Sequence, residues 1–133
     1  MKTLGIDIGS SSVKVSLLDV DTGRCAGSVT LPPTEMPIDA LRPGWAEQDP
    51  QMWWDYVCQG IRTLAGQHPM KEIAAVGITY QMHGLVCLDK KGEPLRKSII
   101  WCDSRAVETG AEALEALGRE YCLARTLKSP GNF

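Results

Sequence analysis

The chain has 133 residues, of which 14 are basic and 16 acidic, for a net charge of −2 at pH 7. It is 44% hydrophobic, which is the balance of one globular domain with a core of its own. No block of basic residues favours nucleic acid or a membrane surface as a partner, and no apolar run has the length of a membrane span.

The chain has five cysteines, and no two of them lie close together in the sequence. An odd number of scattered cysteines argues against a zinc knuckle and against a CxxC redox pair. Together with the lack of a signal-peptide pattern, this composition predicts reduced thiols and a cytoplasmic protein.

The first element is a pair of strands joined by a short polar turn. Leu4, Ile6 and Ile8 alternate with polar or small residues, and a second alternating run begins at Val13. The Gly-Ser-Ser-Ser turn between them, residues 9–12, has no bulky side chain, so its N–H groups can approach an anion. Asp7 lies beside this turn, and a carboxylate next to a phosphate indicates a bridging cation, which suggests a Mg²⁺-nucleotide site. The alternative is an ordinary serine-rich hairpin with a solvated aspartate.

The next stretch predicts a third strand and then a helix. A turn rich in Asp and Gly at residues 19–23 leads to a strand over residues 24–31, which two prolines end. A loop at residues 34–47 follows. Asp49 is placed to cap a helix that begins at Pro50, and apolar residues spaced three and four apart continue it to residue 65.

The rest of the chain alternates between predicted strands and helices. Residues 73–79 form a continuous apolar run, which is typical of a strand buried on both faces. Further strands are expected at residues 85–89 and 98–101. A helix capped by Asp103 or Ser104 should run to Gly118, with weaker helical character at 119–127 and an irregular segment at 129–133. This order predicts an α/β layered sheet.

Two polar groups follow predicted strands, where α/β folds place their ligand sites. Gln81 and His83 offer hydrogen bonds suited to a polyol, and Met82 offers an apolar wall to sugar carbons. Asp103 and Arg105 form an acceptor and donor pair that can hold neighbouring hydroxyls. The alternatives are a structural histidine at a strand end, a helix N-cap at Asp103 and a surface salt bridge at Arg105.

Four segments of the chain resemble the FGGY family of carbohydrate kinases, and within it most closely the xylulose kinases. They are Gly-Ile-Asp-Ile-Gly-Ser-Ser-Ser-Val-Lys at residues 5–14, Gly-Trp-Ala-Glu-Gln-Asp-Pro with its following Trp-Trp at 44–54, Gly-Ile-Thr-Tyr-Gln-Met-His-Gly-Leu at 77–85, and Trp-Cys-Asp-Ser-Arg at 101–105. The resemblance departs at Tyr80, where the family pattern usually has glycine.

The resemblance implies a ribonuclease-H-like α/β fold, with a mixed sheet and flanking helices, and a site for ATP and Mg²⁺. It implies a catalytic, metal-holding role for Asp7 and phosphate contacts from Gly9, Ser10, Ser11, Ser12 and Lys14, although Lys14 could instead pair with an acid across the sheet. It implies sugar contacts from Gln81, Met82, His83, Trp101, Asp103 and Arg105.

The implied activity is ATP-dependent phosphorylation of a ketopentose, in the first place D-xylulose to xylulose 5-phosphate. Residues 1–133 would form the N-terminal part of the first kinase domain, without the second domain and the catalytic base, so this chain alone should be inactive. A homodimer is left open. The alternatives are a non-catalytic sugar or nucleotide binding module and, less favoured because only Asp7 is a candidate metal ligand, a ribonuclease-H-like nuclease.

Overall fold

The computed structural model describes residues 1–130 of the chain. Its strands are β1 (Lys2–Ile8), β2 (Val13–Asp19), β3 (Arg24–Leu31), β4 (Glu47–Gln48), β5 (Ile73–Tyr80) and β6 (Ser98–Ile99). Its helices are α1 (Pro50–Ala65), α2 (Val107–Leu117) and α3 (Arg119–Thr126), and a short 3₁₀ turn, Met70–Glu72, precedes β5.

The larger sheet has the strand order β3-β2-β1-β5. The first three strands form the predicted antiparallel meander, and β5 pairs with β1 in parallel, so the sheet is mixed. Asp19 accepts hydrogen bonds from the backbone N–H groups of Asp21 (3.0 Å) and Thr22 (3.1 Å), which closes the predicted turn after β2. A second, two-stranded sheet pairs β4 with β6.

Helix α1 begins and ends where the sequence predicts. The Asp49 carboxylate caps it by accepting from the Gln51 N–H, and Pro50 is its first residue. Its buried face packs on β2 and β3, where it covers alternate residues of the sheet such as Val13, Val15 and Leu17. Gly60 allows this close approach, because a Cβ at that position would lie 2.6 Å from Val15 Cγ2.

Strand β5 lies where the apolar run predicts it, but the prediction that it is buried on both faces is wrong. Val76, Ile78 and Tyr80 are each more than half exposed. The reason is its position at the edge of the sheet, while α1 packs on β2 and β3 at the other side. An apolar run shows that a strand is suited to burial, but the elements packed against it decide whether it is buried. Within residues 1–130 no helix covers β5.

Two further expectations are corrected. Residues 85–89 do not form a strand: Leu85 makes one isolated bridge to Ile99 and Leu88 another to Pro94. Helix α2 is preceded by Ala106, without a side-chain cap, because Asp103 is bound elsewhere. The segment predicted to be irregular is so at residues 129 and 130, and its remainder, 131–133, lies outside the described residues.

Candidate functional site

The turn at residues 9–12 is fixed by hydrogen bonds that its carbonyl groups accept from other groups of the chain. The Gly9 N–H donates to the Ser12 carbonyl at 3.0 Å, and the Met36 N–H donates to the Ser11 carbonyl at 2.9 Å. The Ser10 carbonyl accepts from Gln48 Nε2 at 2.7 Å. All three serine carbonyls of the turn are therefore occupied by donors of the chain itself.

This arrangement directs two N–H groups away from the protein. A trans peptide places a carbonyl and the following N–H on opposite sides of one plane. Because the Ser10 and Ser11 carbonyls face their donors, the N–H groups of Ser11 and Ser12 point the other way. Within residues 1–130 these two N–H groups donate to no acceptor. The turn thus presents free donors to solvent, which fits a phosphate group.

Asp7 and Lys14 face each other across the first hairpin. They are register partners on β1 and β2, and Thr79 on β5 is the other neighbour of Asp7. All three lie on the sheet face opposite α1, beside a cavity of about 370 Å³ that Ser16 also lines. Neither Asp7 nor Lys14 forms an ion pair with any described residue.

The donor set fits a nucleotide-bound Mg²⁺ better than a protein-only metal site. No cluster of three or more His, Cys, Asp or Glu side chains that could hold a metal occurs in the part of the chain that the structure describes. Mg²⁺ on a nucleotide needs only one or two carboxylates, because phosphate oxygens and water complete its shell. Asp7 can supply one such carboxylate, and Lys14 can neutralise phosphate charge.

Gln81, Met82, His83 and Trp101 line one pocket of about 250 Å³. The first three follow β5, where the Gln81 N–H continues the sheet by donating to the Ile8 carbonyl at 2.8 Å. His83 has a φ of 62°, in the left-handed region, so the chain turns sharply at this residue. The fold thus joins residues that are 20 positions apart in the sequence.

The side-chain amide of Gln81 has an unusual environment. Its Oε1 and Nε2 are both buried and have no hydrogen-bond partner among the described residues. Buried polar atoms are normally satisfied, and an exception often marks a ligand or an ordered water. An amide with one acceptor and two donors suits the hydroxyl groups of a polyol.

Trp101 connects this pocket to the turn at residues 9–12, called the phosphate-type turn below. Its indole Nε1 donates to Ser10 Oγ at 3.1 Å while its ring lines the pocket. The sequence suggests each segment separately, but it does not indicate this contact. A group bound in the pocket would therefore touch the same side chain that holds Ser10.

Asp103 and Arg105 are bound to each other and to the segment that precedes α1. Both guanidinium contacts to the Asp103 carboxylate are short, at 2.8 and 2.7 Å, and the Ala46 N–H donates to the same carboxylate at 2.6 Å. Arg105 also pairs with the buried Glu47 at 2.8 Å and stacks over the Trp45 ring, 3.7 Å from its centroid. Arg96 completes the group by pairing with Glu47.

The electrostatics of this pair follow from the contacts. The side-chain hydrogen bonds from Arg105 lower the pKa of Asp103 from 3.8 to about 2, and Asp103 in turn raises the pKa of Arg105. Asp103 is only 6% exposed. Asp103 is therefore not the N-cap of α2, and its pair with Arg105 is largely buried and not a surface salt bridge.

Sequence reasoning missed three residues of the site's support: Trp45, Glu47 and Gln48. All three lie in the segment at residues 44–54 that resembles the family motif, but the motif does not indicate which residues contact them. Glu47 is bound by Arg96 and Arg105, which are distant in sequence. Nothing in the local pattern indicates which polar residue of such a loop is buried.

Comparison with known proteins covers nearly the whole chain. Residues 2–129 match the model of the N-terminal domain of the FGGY family of carbohydrate kinases. The xylulose kinase of Escherichia coli strain K12 is 38% identical over 106 residues, which are 79% of this chain and 21% of that protein. The chain therefore spans about a fifth of the length of this relative.

Solved structures of similar proteins agree in fold. The crystal structure of xylulose kinase from Rhodospirillum rubrum matches 95% of this chain and 25% of its own, with a TM-score of 0.84 and 27% identity. The structure of Plasmodium falciparum glycerol kinase with ADP matches 99% of this chain and 26% of its own, also with a TM-score of 0.84 and with 26% identity. The α/β fold class, a mixed sheet with flanking helices shared with sugar kinases, is confirmed. Within the described residues no helix is long and apolar enough to cross a membrane.

Proposed function

The chain belongs to the FGGY family of carbohydrate kinases, and from that membership we propose that it forms the N-terminal part of a longer enzyme. We propose that the full-length protein transfers the γ-phosphoryl group of ATP to a primary hydroxyl of a ketopentose, with D-xylulose as the first candidate. The support for the sugar is the likeness to proteins described as xylulose kinases. In this proposal the second domain and the general base lie outside residues 1–133.

One structural observation carries the proposal. The turn at residues 9–12 has N–H donors without an acceptor among the described residues, and the pocket after β5 contains the Gln81 amide, which has no hydrogen-bond partner there either. The hydrogen bond from Trp101 to Ser10 joins the turn to this pocket. A kinase must hold a phosphate and its acceptor side by side, because phosphoryl transfer depends mainly on positioning and charge stabilisation. The hydrogen bond from Trp101 to Ser10 places the phosphate-binding turn of this proposal next to its sugar pocket.

For the phosphate side, we assign the N–H groups of Ser11 and Ser12 to the phosphate oxygens and Lys14 to their charge, whereas the N–H of Gly9 holds the turn itself. Asp7 would hold Mg²⁺, directly or through water. When bound, the metal ion neutralises charge that develops on the phosphate oxygens. The exposed sheet face that carries Asp7, Lys14 and Thr79 leaves room for these groups.

For the sugar side, we assign hydroxyl contacts to Gln81 and His83 and apolar contact with the carbon chain to Met82 and Trp101. The amide of Gln81 would gain the hydrogen-bond partners that it lacks among the described residues. Asp103 and Arg105 would shape the same site by fixing the segment that follows Trp101. Their mutual bonds and their anchors at Ala46 and Glu47 hold that segment in one conformation.

An ADP-release assay on the purified full-length protein tests this function. The panel should contain D-xylulose, L-xylulose, D-ribulose, gluconate and glycerol, each with MgATP. We expect the highest kcat/KM with D-xylulose. Preference for glycerol or gluconate over every ketopentose would refute the substrate class. Sugar binding without any turnover would instead favour the non-catalytic binding module.

A further inference from the structure

Gln48 is a fully buried polar residue with no surface exposure. Its Nε2 donates to two backbone carbonyls, that of Ser10 at 2.7 Å and that of Pro37 at 3.1 Å. Its Oε1 accepts from Trp53 Nε1 at 3.2 Å. Since the indole is only a donor and the two carbonyls are only acceptors, this pattern sets the orientation of the amide unambiguously.

These bonds join three parts of the molecule at one side chain. Ser10 belongs to the phosphate-type turn, Pro37 to the long loop before β4, and Trp53 to helix α1. Gln48 itself lies in β4, paired with Ser98 of β6, directly before the Asp49 cap of α1. Gln48 thereby fixes the position of the turn relative to helix α1 and to the small sheet. The other contact to the turn, from the Met36 N–H to the Ser11 carbonyl, comes from a loop.

We propose that Gln48 is a positioning residue for phosphoryl transfer: by holding the Ser10 carbonyl, it aims the N–H of Ser11 at the phosphate. The inference rests on the proposed function. Its physical basis is the planarity of the peptide between Ser10 and Ser11, in which turning the carbonyl also turns the N–H. Gln48 need not touch nucleotide or sugar to have this effect.

The contact between Gln48 and the Ser10 carbonyl can also be removed by a single side-chain substitution. Gly9 and Met36 hold the turn by backbone groups, and Trp101 lines the sugar pocket as well as touching Ser10. Gln48 acts on the turn through its side-chain amide and lines none of the cavities described above. A substitution there should consequently separate phosphate positioning from sugar binding.

The test uses the full-length protein with Gln48→Met, which keeps the length of the side chain and removes its hydrogen bonds. Val57→Ala is the control, because Val57 lies on the buried face of α1, the helix that carries Trp53, and its side chain has no polar atom. The readouts are kcat and KM with MgATP, the MgATP dissociation constant, the D-xylulose dissociation constant and the thermal midpoint. Gln48→Asn, which keeps an amide of shorter reach, is measured alongside and replaces Gln48→Met if that variant does not fold.

We expect kcat/KM for MgATP to fall by roughly tenfold or more in Gln48→Met, as when one positioned donor is lost from an active site, with the D-xylulose dissociation constant unchanged. Gln48→Asn should lose activity in the same direction, and Val57→Ala should keep wild-type kinetics at a similar loss in thermal midpoint. Equal kinetics in Gln48→Met and Val57→Ala would overturn the positioning role.

The two proposals fail differently. A wild-type protein that turns over no sugar refutes the proposed function, and MgATP affinity then decides the role of Gln48. In that case a loss of MgATP affinity in Gln48→Met, relative to Val57→Ala, supports the positioning role and equal affinity refutes it. A wild-type protein that does not bind MgATP overturns both.

Discussion

Replacement of Asp103 by asparagine perturbs the best-connected charge of the site. The carboxylate accepts from the N–H groups of Ala46 and Arg105 and from two guanidinium nitrogens of Arg105. Asparagine has nearly the same shape, but its amide nitrogen would face a guanidinium N–H, donor against donor. The substitution therefore removes the bidentate pair without creating a cavity.

The magnitude follows from the pKa of Asp103. A pKa that is lower in the folded chain stabilises the fold above the unfolded value, and this stability is lost as the pH falls towards the folded value. The fall from 3.8 to about 2 corresponds to roughly 2 kcal/mol near neutral pH. Loss of one partner of a buried pair can cost about 3–5 kcal/mol, but Glu47 still neutralises Arg105 here, so we expect the smaller figure.

Urea unfolding of the purified chain, followed by tryptophan fluorescence, measures this difference. Asp103→Asn should lower the free energy of unfolding by roughly 2 kcal/mol near pH 7, and by only about half of that near pH 3, where Asp103 is mostly protonated in the unfolded chain but little in the folded one. Asp55→Asn, an exposed position on α1, should change stability by less than about 0.5 kcal/mol at both pH values. A loss for Asp103→Asn that is the same at both pH values would refute the electrostatic account.

Three further outcomes are expected. In the full-length protein, Asp7→Asn should lower kcat strongly with MgATP while the D-xylulose dissociation constant stays the same, and wild-type turnover would contradict a metal role for Asp7. His83→Ala should weaken D-xylulose binding by roughly 1–3 kcal/mol, as for a lost polar contact, with unchanged MgATP affinity; an unaltered sugar titration would contradict it. In the chain itself, Gly60→Ala should lower unfolding stability by about 1–3 kcal/mol through the contact with Val15, and the double variant with Val15→Ala should show a coupling in unfolding experiments, whereas strictly additive effects would exclude the clash.

Local signals in the sequence predicted the elements that depend on local chemistry. The Asp49 cap, the following proline and the regular apolar spacing define α1 at both ends, as the structure has it. The alternating runs before and after the Gly-Ser turn likewise become β1 and β2. In each case the determinants lie within a few residues of the element that they define.

The burial of β5 could not be predicted in this way. Its apolar run indicates that the strand suits a covered position, but exposure depends on which helices reach it, and α1 packs on β2 and β3 instead. Residues 85–89 fail for a related reason: their apolar composition resembles a strand, yet they find only isolated bridge partners. Composition reports suitability for burial, and the packing of distant elements decides the outcome.

The candidate site shows the same division. Asp7, the turn, Gln81 and His83 stand out because their residue types and strand-end positions indicate ligand chemistry. The contact of Arg105 with Glu47 and the contact of Gln48 with Ser10 do not, because the members of each pair lie far apart in the sequence, 38 positions for Gln48 and Ser10. The physical support of a site is thus harder to infer from sequence than its chemically active groups.

The parallel pairing of β1 with β5 has a consequence for synthesis on the ribosome. β2 follows β1 after a four-residue turn, but β5 begins about 65 positions after β1 ends. At about 5–20 residues per second, translation leaves one edge of β1 unpaired for roughly 3–13 s. Once β3 has been made, the strand that carries Asp7 is the border of a three-stranded sheet until β5 is made, with open N–H and C=O groups that a second nascent chain could pair with. Codon choice between residues 32 and 72 sets the length of that exposure, so slower translation there should lower the soluble yield of the protein.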